Sequence, residues 1–458
     1  MKKLWLRSTR GLNNRIDPIR AGYDPEKGLE WLSESYNVDY DYTGRISRRR
    51  GWEATNITAA CHSLAAFGSN CLFVSGGNLC QLGTDYSSAV LRSVTPDARM
   101  SYCQVADKVF FMNGVERGFI RAGVAETWSL PSVIRGHETT RVYQAPPIGQ
   151  IVSYYKGRIY VVAGDVIWYT EAYGPNLVDY HRNNIPLEAV CQMFHPVKEG
   201  IYVGTSKAVW FLRGNGPGEF AWEVAHLSAA VRGSDVDVEA SIIGDGSLQG
   251  VGVLWTSGDG ICLGLPDGKV INLTEKNLTY EVGTKAVSIV MTDRYICSIP
   301  DTINGRLTLV LNLERLAAGQ YLNYGFNSFT KFGKKYLGAK SDGIFVLDEV
   351  DLDGSDQILS RVKLPVTDFG HSGTKHIRFI HASYETDASL KMIPIADEEE
   401  GNSVEFVPKS RTNKQENQKV PVGRYLKGKN WELAIENLDG ADFSIEEVSA
   451  ELTGLMPA

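Results

Sequence analysis

Seven hairpin-like phrases recurring at roughly 40 to 50 residues, a composition rich in Gly and Tyr, and almost no helical periodicity predict an all-β chain. The architecture that fits is a β-propeller of six or seven blades, with an extended N-terminal arm and a small C-terminal antiparallel β domain. The 46 Gly and 21 Tyr supply turns and strand formers. The phrases run over 71–80, 108–120, 157–169, 200–211, 251–263, 294–311 and 335–347. Each is an apolar run, a short turn containing Gly or polar residues, and a second apolar run. In the copy at 157–169, Ile159 to Val162 and Val166 to Tyr169 flank Gly164-Asp165. Strand formers on either side of residues that tolerate positive φ read as a hairpin.

The spacing suits a blade of four strands. One blade cannot bury both of its faces, and stacking blades in a ring buries them and leaves only short edges. A β-sandwich, which also spaces short strands regularly, is the competing architecture. The propeller is placed at 55–362. Residues 1–54, rich in Arg, Asn, Asp and Gly, read as an arm that packs on the propeller or on a neighbour. Residues 363–458 read as a sandwich-like domain, with strands at 379–384, 390–395, 431–436 and 443–448, an acidic turn at 397–400 and a polar loop at 408–419. The stretch 313–318 is the only good helical pattern.

The chain is 43% hydrophobic and 22% charged with a net charge of −7, so it is an ordinary globular composition with no global field drawing it to nucleic acid. No apolar run reaches the ~18 residues needed to cross a bilayer, and no apolar h-region follows Met1-Lys2-Lys3, so neither membrane insertion nor secretion is expected. The seven Cys show no paired spacing and mostly lie in strand-like runs, which fits buried thiols in a reducing compartment.

The chemical motifs fail on spacing or context. The run 423–430 resembles a phosphate loop, but Asn430 stands where Ser or Thr must hold Mg²⁺, and Trp431 opens a strand rather than a helix. The run 349–356 resembles a calcium loop, but it begins with Glu349 and has Ser360 at its twelfth position. The Gly-rich run 214–218 contains Pro217 and lies in no βαβ unit. His371, His376 and His381 alternate faces at five-residue spacing in a strand and do not converge on a metal. No catalytic residue, cofactor site or metal site is therefore assigned. The densest basic cluster is Arg45, Arg48, Arg49 and Arg50. It can meet DNA phosphate or an acidic partner, or it can form salt bridges within or between subunits. The acidic chain favours the salt bridges.

The flanks carry a resemblance. The phrase Gly11-Leu12-Asn13-Asn14-Arg15-Ile16-Asp17-Pro18, then Asn37-Val38-Asp39 followed by Gly44-Arg45 and Arg50-Gly51-Trp52, resembles the opening of phage virion proteins with a propeller body. Residues 423–432 and 436–443 are similar to their C-terminal domain. The group it most resembles is the tail nozzle, or packaged-DNA stabilisation protein, of short-tailed bacteriophages. The resemblance implies a homo-oligomeric ring, a hexamer, below the portal and its adaptor. Such a ring extends the channel, retains packaged DNA and guides its ejection. Other tail proteins (fibre, spike or needle) would be partners, and double-stranded DNA would pass without sequence recognition. The location implied is the virion tail, after assembly in the host cytoplasm. Mildly negative channel walls would let DNA slide, since phosphate binding needs Lys and Arg. The alternative function is a carbohydrate-binding or glycoside-cleaving propeller, which would set paired carboxylates and aromatics around the propeller axis.

Overall fold

The computed structural model describes residues 1–134, 141–301, 305–409, 414–423 and 426–453. Within them the chain is a seven-bladed β-propeller joined to a β-sandwich. Six blades are consecutive four-stranded antiparallel meanders. They begin with innermost strands Cys61–Phe67, Ser101–Val105, Ile151–Tyr155, Cys191–Val197, Val236–Glu239 and Val287–Met291. The turns between strands use residues that reach positive φ, such as Gly76-Gly77 at +55° and +77° before Asn78–Leu82.

Blade seven is assembled from two distant parts of the chain. Ser328–Phe332, Lys335–Lys340 and Gly343–Val350 are followed on the outside by Gly51–Ala54. The ring is thereby closed by a strand that precedes blade one, and the last blade cannot be completed without it. Each pair of neighbouring blades shares an apolar cluster. Blades seven and one meet through Phe73, Leu82, Leu337 and Ile344, and blades three and four through Tyr160, Phe194, Ile201 and Leu212. Large buried aromatics such as Tyr160 and Phe194 contribute much apolar area to some seams, while the seam of blades five and six is mainly aliphatic.

The arm, expected to pack on the propeller or on a neighbour, is woven into both the propeller and the sandwich. Gly51–Ala54 belongs to the propeller, and much of the rest is built into the sandwich. One sandwich sheet contains Lys2–Leu6, Val38–Tyr40 and Ile46–Arg48 with Phe443–Thr453, His376–Thr386 and Glu416–Pro421. The other contains Glu34–Tyr36, Arg361–Thr367, Trp431–Asn437 and Leu390–Ala396. Between them lie Trp5, Leu29, Ile46, Tyr384, Phe406 and Trp431, all buried. Half of this core's logic is alternation: in His376–Thr386, Ile380, Ala382 and Tyr384 face inward while their neighbours stay partly exposed. The second sheet also continues into the propeller, because Tyr36 pairs in parallel with Gln320 on the outer strand of blade six.

The expected helix at 313–318 is a turn followed by the strand Ala317–Tyr321. Asn312 Oδ1 accepts from the Arg315 N–H, and Leu316 takes φ +58°, so the chain reverses into the blade instead of winding on.

Gly51 fixes how closely the closing strand approaches the sandwich connection. A Cβ placed on it would lie 1.9 Å from the backbone oxygen of Leu352. Gly51→Ala is expected to destabilise the protein by at least about 2 kcal/mol through overpacking, whereas Gly216→Ala, which meets nothing within 4 Å, stays within about 0.5 kcal/mol. Urea unfolding followed by tryptophan fluorescence checks both.

Candidate functional site

The four arginines of the basic cluster all turn to acidic groups of the same chain. Arg45 meets Glu385 at 3.0 Å and Glu446 at 3.1 Å in the sandwich. Arg48 reaches Asp351 at 2.9 Å and Asp442 at 3.5 Å. Arg50 reaches the same Asp351 at 2.6 Å. Arg49 is fully buried and grips Asp353 with both terminal nitrogens, at 2.8 and 2.5 Å. Its Nε donates to Asn37 Oδ1, its remaining N–H groups go to the Leu322 and Arg50 carbonyls, and the guanidinium lies over Tyr321 and Tyr324. All donor positions of a planar fork are thus used, the condition under which a buried guanidinium is tolerated. The Arg48 and Arg49 side chains, 1% and 0% exposed, leave no surface for a DNA phosphate or an outside partner.

This cluster explains the calcium-like run at 349–356. Asp351 and Asp353 carry the charge that a cation would have met, and arginine supplies the cation. Nearby, Asp39 of the arm accepts from Arg294 of blade six at 2.7 Å, and Arg294 also holds Asp348 of blade seven at 2.5 Å. Asn37 Oδ1 further accepts from the Leu322 N–H. The residues 37–52 are therefore a clasp between sandwich, blade six and blade seven.

The other motifs are placed as follows. In the phosphate-loop-like run, Arg424 and Tyr425 lie outside the described residues, and the strand Trp431–Asn437 follows. Residues 410–413 of the polar loop also lie outside them. His376 contacts Thr453 and the Gly423 carbonyl, while His381 contacts Glu451, so the two are spent on separate partners. Gly214–Gly218 connects the two outer strands of blade four. All seven cysteines are buried and free. Burial pushes the Cys71 and Cys103 thiols up to about 12, far from a reactive thiolate at neutral pH.

A second polar centre, which the sequence did not reveal, lies on the propeller axis. The entry ends of the seven innermost strands surround a cavity of about 240 Å³. Ser63, Arg99, Gln150, Gln192, Asp235 and Ser288 contribute from six blades, and Phe329 comes from the seventh. Beside Asp235 of its wall, His195 bridges two carboxylates, with Nδ1 3.1 Å from Asp235 and Nε2 2.9 Å from the largely exposed Asp237. Two carboxylate acceptors require that both ring nitrogens donate, which only the imidazolium can do. Burial alone would push His195 down, but the hydrogen bonds and charges of both aspartates outweigh it and raise it to about 9. Its hydrogen bond in turn holds Asp237 below the usual carboxylate range. The axial residues come as one or a few polar side chains beside the start of each innermost strand, so no chemical motif marks them.

No family model matches the chain, and a search of curated proteins finds no match. Solved structures with a similar fold include a streptogramin B lyase, at 12% identity over 65% of this chain and 96% of that one, with a TM-score of 0.43. They also include the Neurospora crassa Pan2 WD40 domain, at 10% identity over 66% of this chain and 96% of that one, with a TM-score of 0.40. These similarities concern the fold, and the blade topology carries the propeller assignment by itself.

Two outcomes follow from the clasp and the axis. Arg49→Met strands Asp353 in the interior and is expected to cost about 3–5 kcal/mol, most of which the double replacement Arg49→Met/Asp353→Leu recovers; chemical denaturation of the three proteins checks it. Because His195 titrates higher in the fold than its ordinary 6.5, its stabilisation is complete below pH 6.5 and fades as pH rises through about 9. The wild type should lose up to about 3 kcal/mol relative to His195→Gln across that window, read as the difference between their melting curves at successive pH values.

Proposed function

We propose that the chain is a structural, non-enzymatic component of a virion tail: a ring-forming nozzle subunit of a short-tailed bacteriophage, extending the DNA channel below the portal. The observation that carries this reading is the role of residues 37–52. The phrase that resembles the opening of phage virion proteins is also the phrase that clasps the sandwich to the last two blades through Asn37, Asp39, Arg49 and Gly51. Such a phrase is the signature of an architecture, an arm threaded through a sandwich that closes a propeller, and needs no catalytic role to account for it. A negatively charged chain whose densest arginine cluster is neutralised internally also suits a channel wall along which DNA slides without being bound through its phosphates.

A glycoside-cleaving propeller has weaker support. Its axial acids would need one protonated carboxyl group to act as proton donor. Asp235 and Asp237 instead share the protonated His195, whose hydrogen bond holds Asp237 below the usual carboxylate range.

Native mass spectrometry of the purified protein, alone and with the tail proteins of the same virion, tests the proposal. A closed ring with one stoichiometry, hexameric in the nozzle reading, is the expected result. A chain that stays monomeric at virion concentrations and in assembled particles would remove the nozzle role.

A further inference from the structure

The axial cavity holds more cationic groups than its acids can match. Arg99 enters from the connection between blades one and two and Arg232 from that between blades four and five, while Arg306 of blade six acts on Arg99 by its charge without lining the cavity. Among the described residues none of the three has a carboxylate within salt-bridge distance, although every arginine of the 45–50 cluster has one. Asp235, the acid that faces Arg99, is already hydrogen-bonded to His195. Arg306 is spent on Ser298 Oγ at 3.0 Å, a neutral partner.

Arg99 is held in place rather than left to wander. Its Nη1 donates to the Ala286 carbonyl at 2.7 Å. The guanidinium occupies the space that a Cβ on Gly233 would take, 2.5 Å from Nη1, and Gly233 sits at φ +80°. The Arg99 side chain lines the cavity and is open to solvent there. Burial pushes Arg99 below the usual guanidinium range, Asp235 opposes this, and repulsion from Arg232 and Arg306 adds to it. Burial likewise lowers Arg232. A guanidinium held by the Ala286 carbonyl and a second one lining the same cavity, neither paired with a described carboxylate of the chain, describe a site suited to an anion.

We propose that the axial cavity is a binding site for a small phosphate-type dianion, free phosphate or the terminal group of a phosphate monoester, held between Arg99 and Arg232. Ser101, Gln150 and Gln192 on the same wall offer further polar contacts to phosphate oxygens or to an attached polyol. A cavity of about 240 Å³ admits a ligand of this size and excludes a nucleic-acid duplex. The site is independent of the ring function proposed above, since it lies inside one propeller.

Thermal melting of the full chain in inorganic phosphate, against chloride at matched ionic strength, tests it. Phosphate is expected to raise Tm by several degrees with a saturable dependence, because a ligand that binds only the folded state stabilises it. Arg99→Gln and Arg232→Gln should each weaken that dependence at least tenfold. Each should melt no lower than wild type in phosphate-free buffer, because like-charge repulsion is relieved. Arg121→Gln, on an exposed outer strand, should behave as wild type. Glycerol phosphate run in parallel separates the sources: tighter binding than inorganic phosphate assigns the monoester, and equal or weaker binding assigns the free ion. No saturable shift with either compound, or a shift that both axial variants keep in full, would overturn the proposal. A phosphate-free melting point well below wild type in both variants would also overturn it, since it would make the arginines structural.

Discussion

The buried pair of Arg49 and Asp353 is the contact around which the rest of the molecule is arranged. Bringing a guanidinium and a carboxylate out of water is expensive, and the cost is offset only when every donor and acceptor is matched. Here that condition is met by groups from three places. Asp353 comes from the connection after blade seven, Asn37 from the arm, and the Leu322 carbonyl from the exit of blade six. The pair therefore forms only when arm, blades and sandwich are all in position. Immediately beyond it, Gly51 passes the Leu352 backbone and the chain enters blade seven as its outer strand. Ring closure and attachment of the sandwich are two consequences of one strap.

The same separation of tasks appears in the charges. Around the clasp, acids and arginines are matched one against another, and what remains outside is an acidic surface. On the axis the matching is deliberately incomplete: His195 absorbs Asp235 and Asp237, while Arg99 and Arg232 face the cavity. Charge matched inside the fold specifies structure, and charge left over inside a cavity specifies a ligand. The propeller ring makes this possible because the entry ends of its innermost strands deliver side chains from distant parts of the sequence to a common point.

That geometry also explains what could be read from the sequence. The hairpins were legible because each is local: Arg158–Ala163 and Val166–Tyr169 are continuous apolar runs on either side of a Gly-Asp turn, and the pattern needs no knowledge of the rest of the chain. The strands of the arm were not. Glu34–Tyr36 and Val38–Tyr40 are three residues long, and their partners lie hundreds of residues away. Their strand character is imposed by the sheets they join. Leu313–Ala318 shows the converse, since a local helical preference loses to a blade that requires a reversal there. The arginine cluster was visible as a run of charge, but its partners Asp351 and Asp353 were visible only as a separate acidic run some 300 residues on. Nothing in either run says that the two neutralise each other. The axial residues left no motif, being a few polar side chains scattered over the entry ends of separate blades.

The most direct test of the strap is native-state hydrogen exchange, read by mass spectrometry on the wild type and on Asp353→Asn. If residues 37–54 couple sandwich and propeller, the substitution should lower protection together in Glu34–Tyr36, Val38–Tyr40 and Gly51–Ala54, and leave blades two to five as in the wild type. Loss of protection confined to the sandwich strands, with Gly51–Ala54 exchanging at its wild-type rate, would contradict the account.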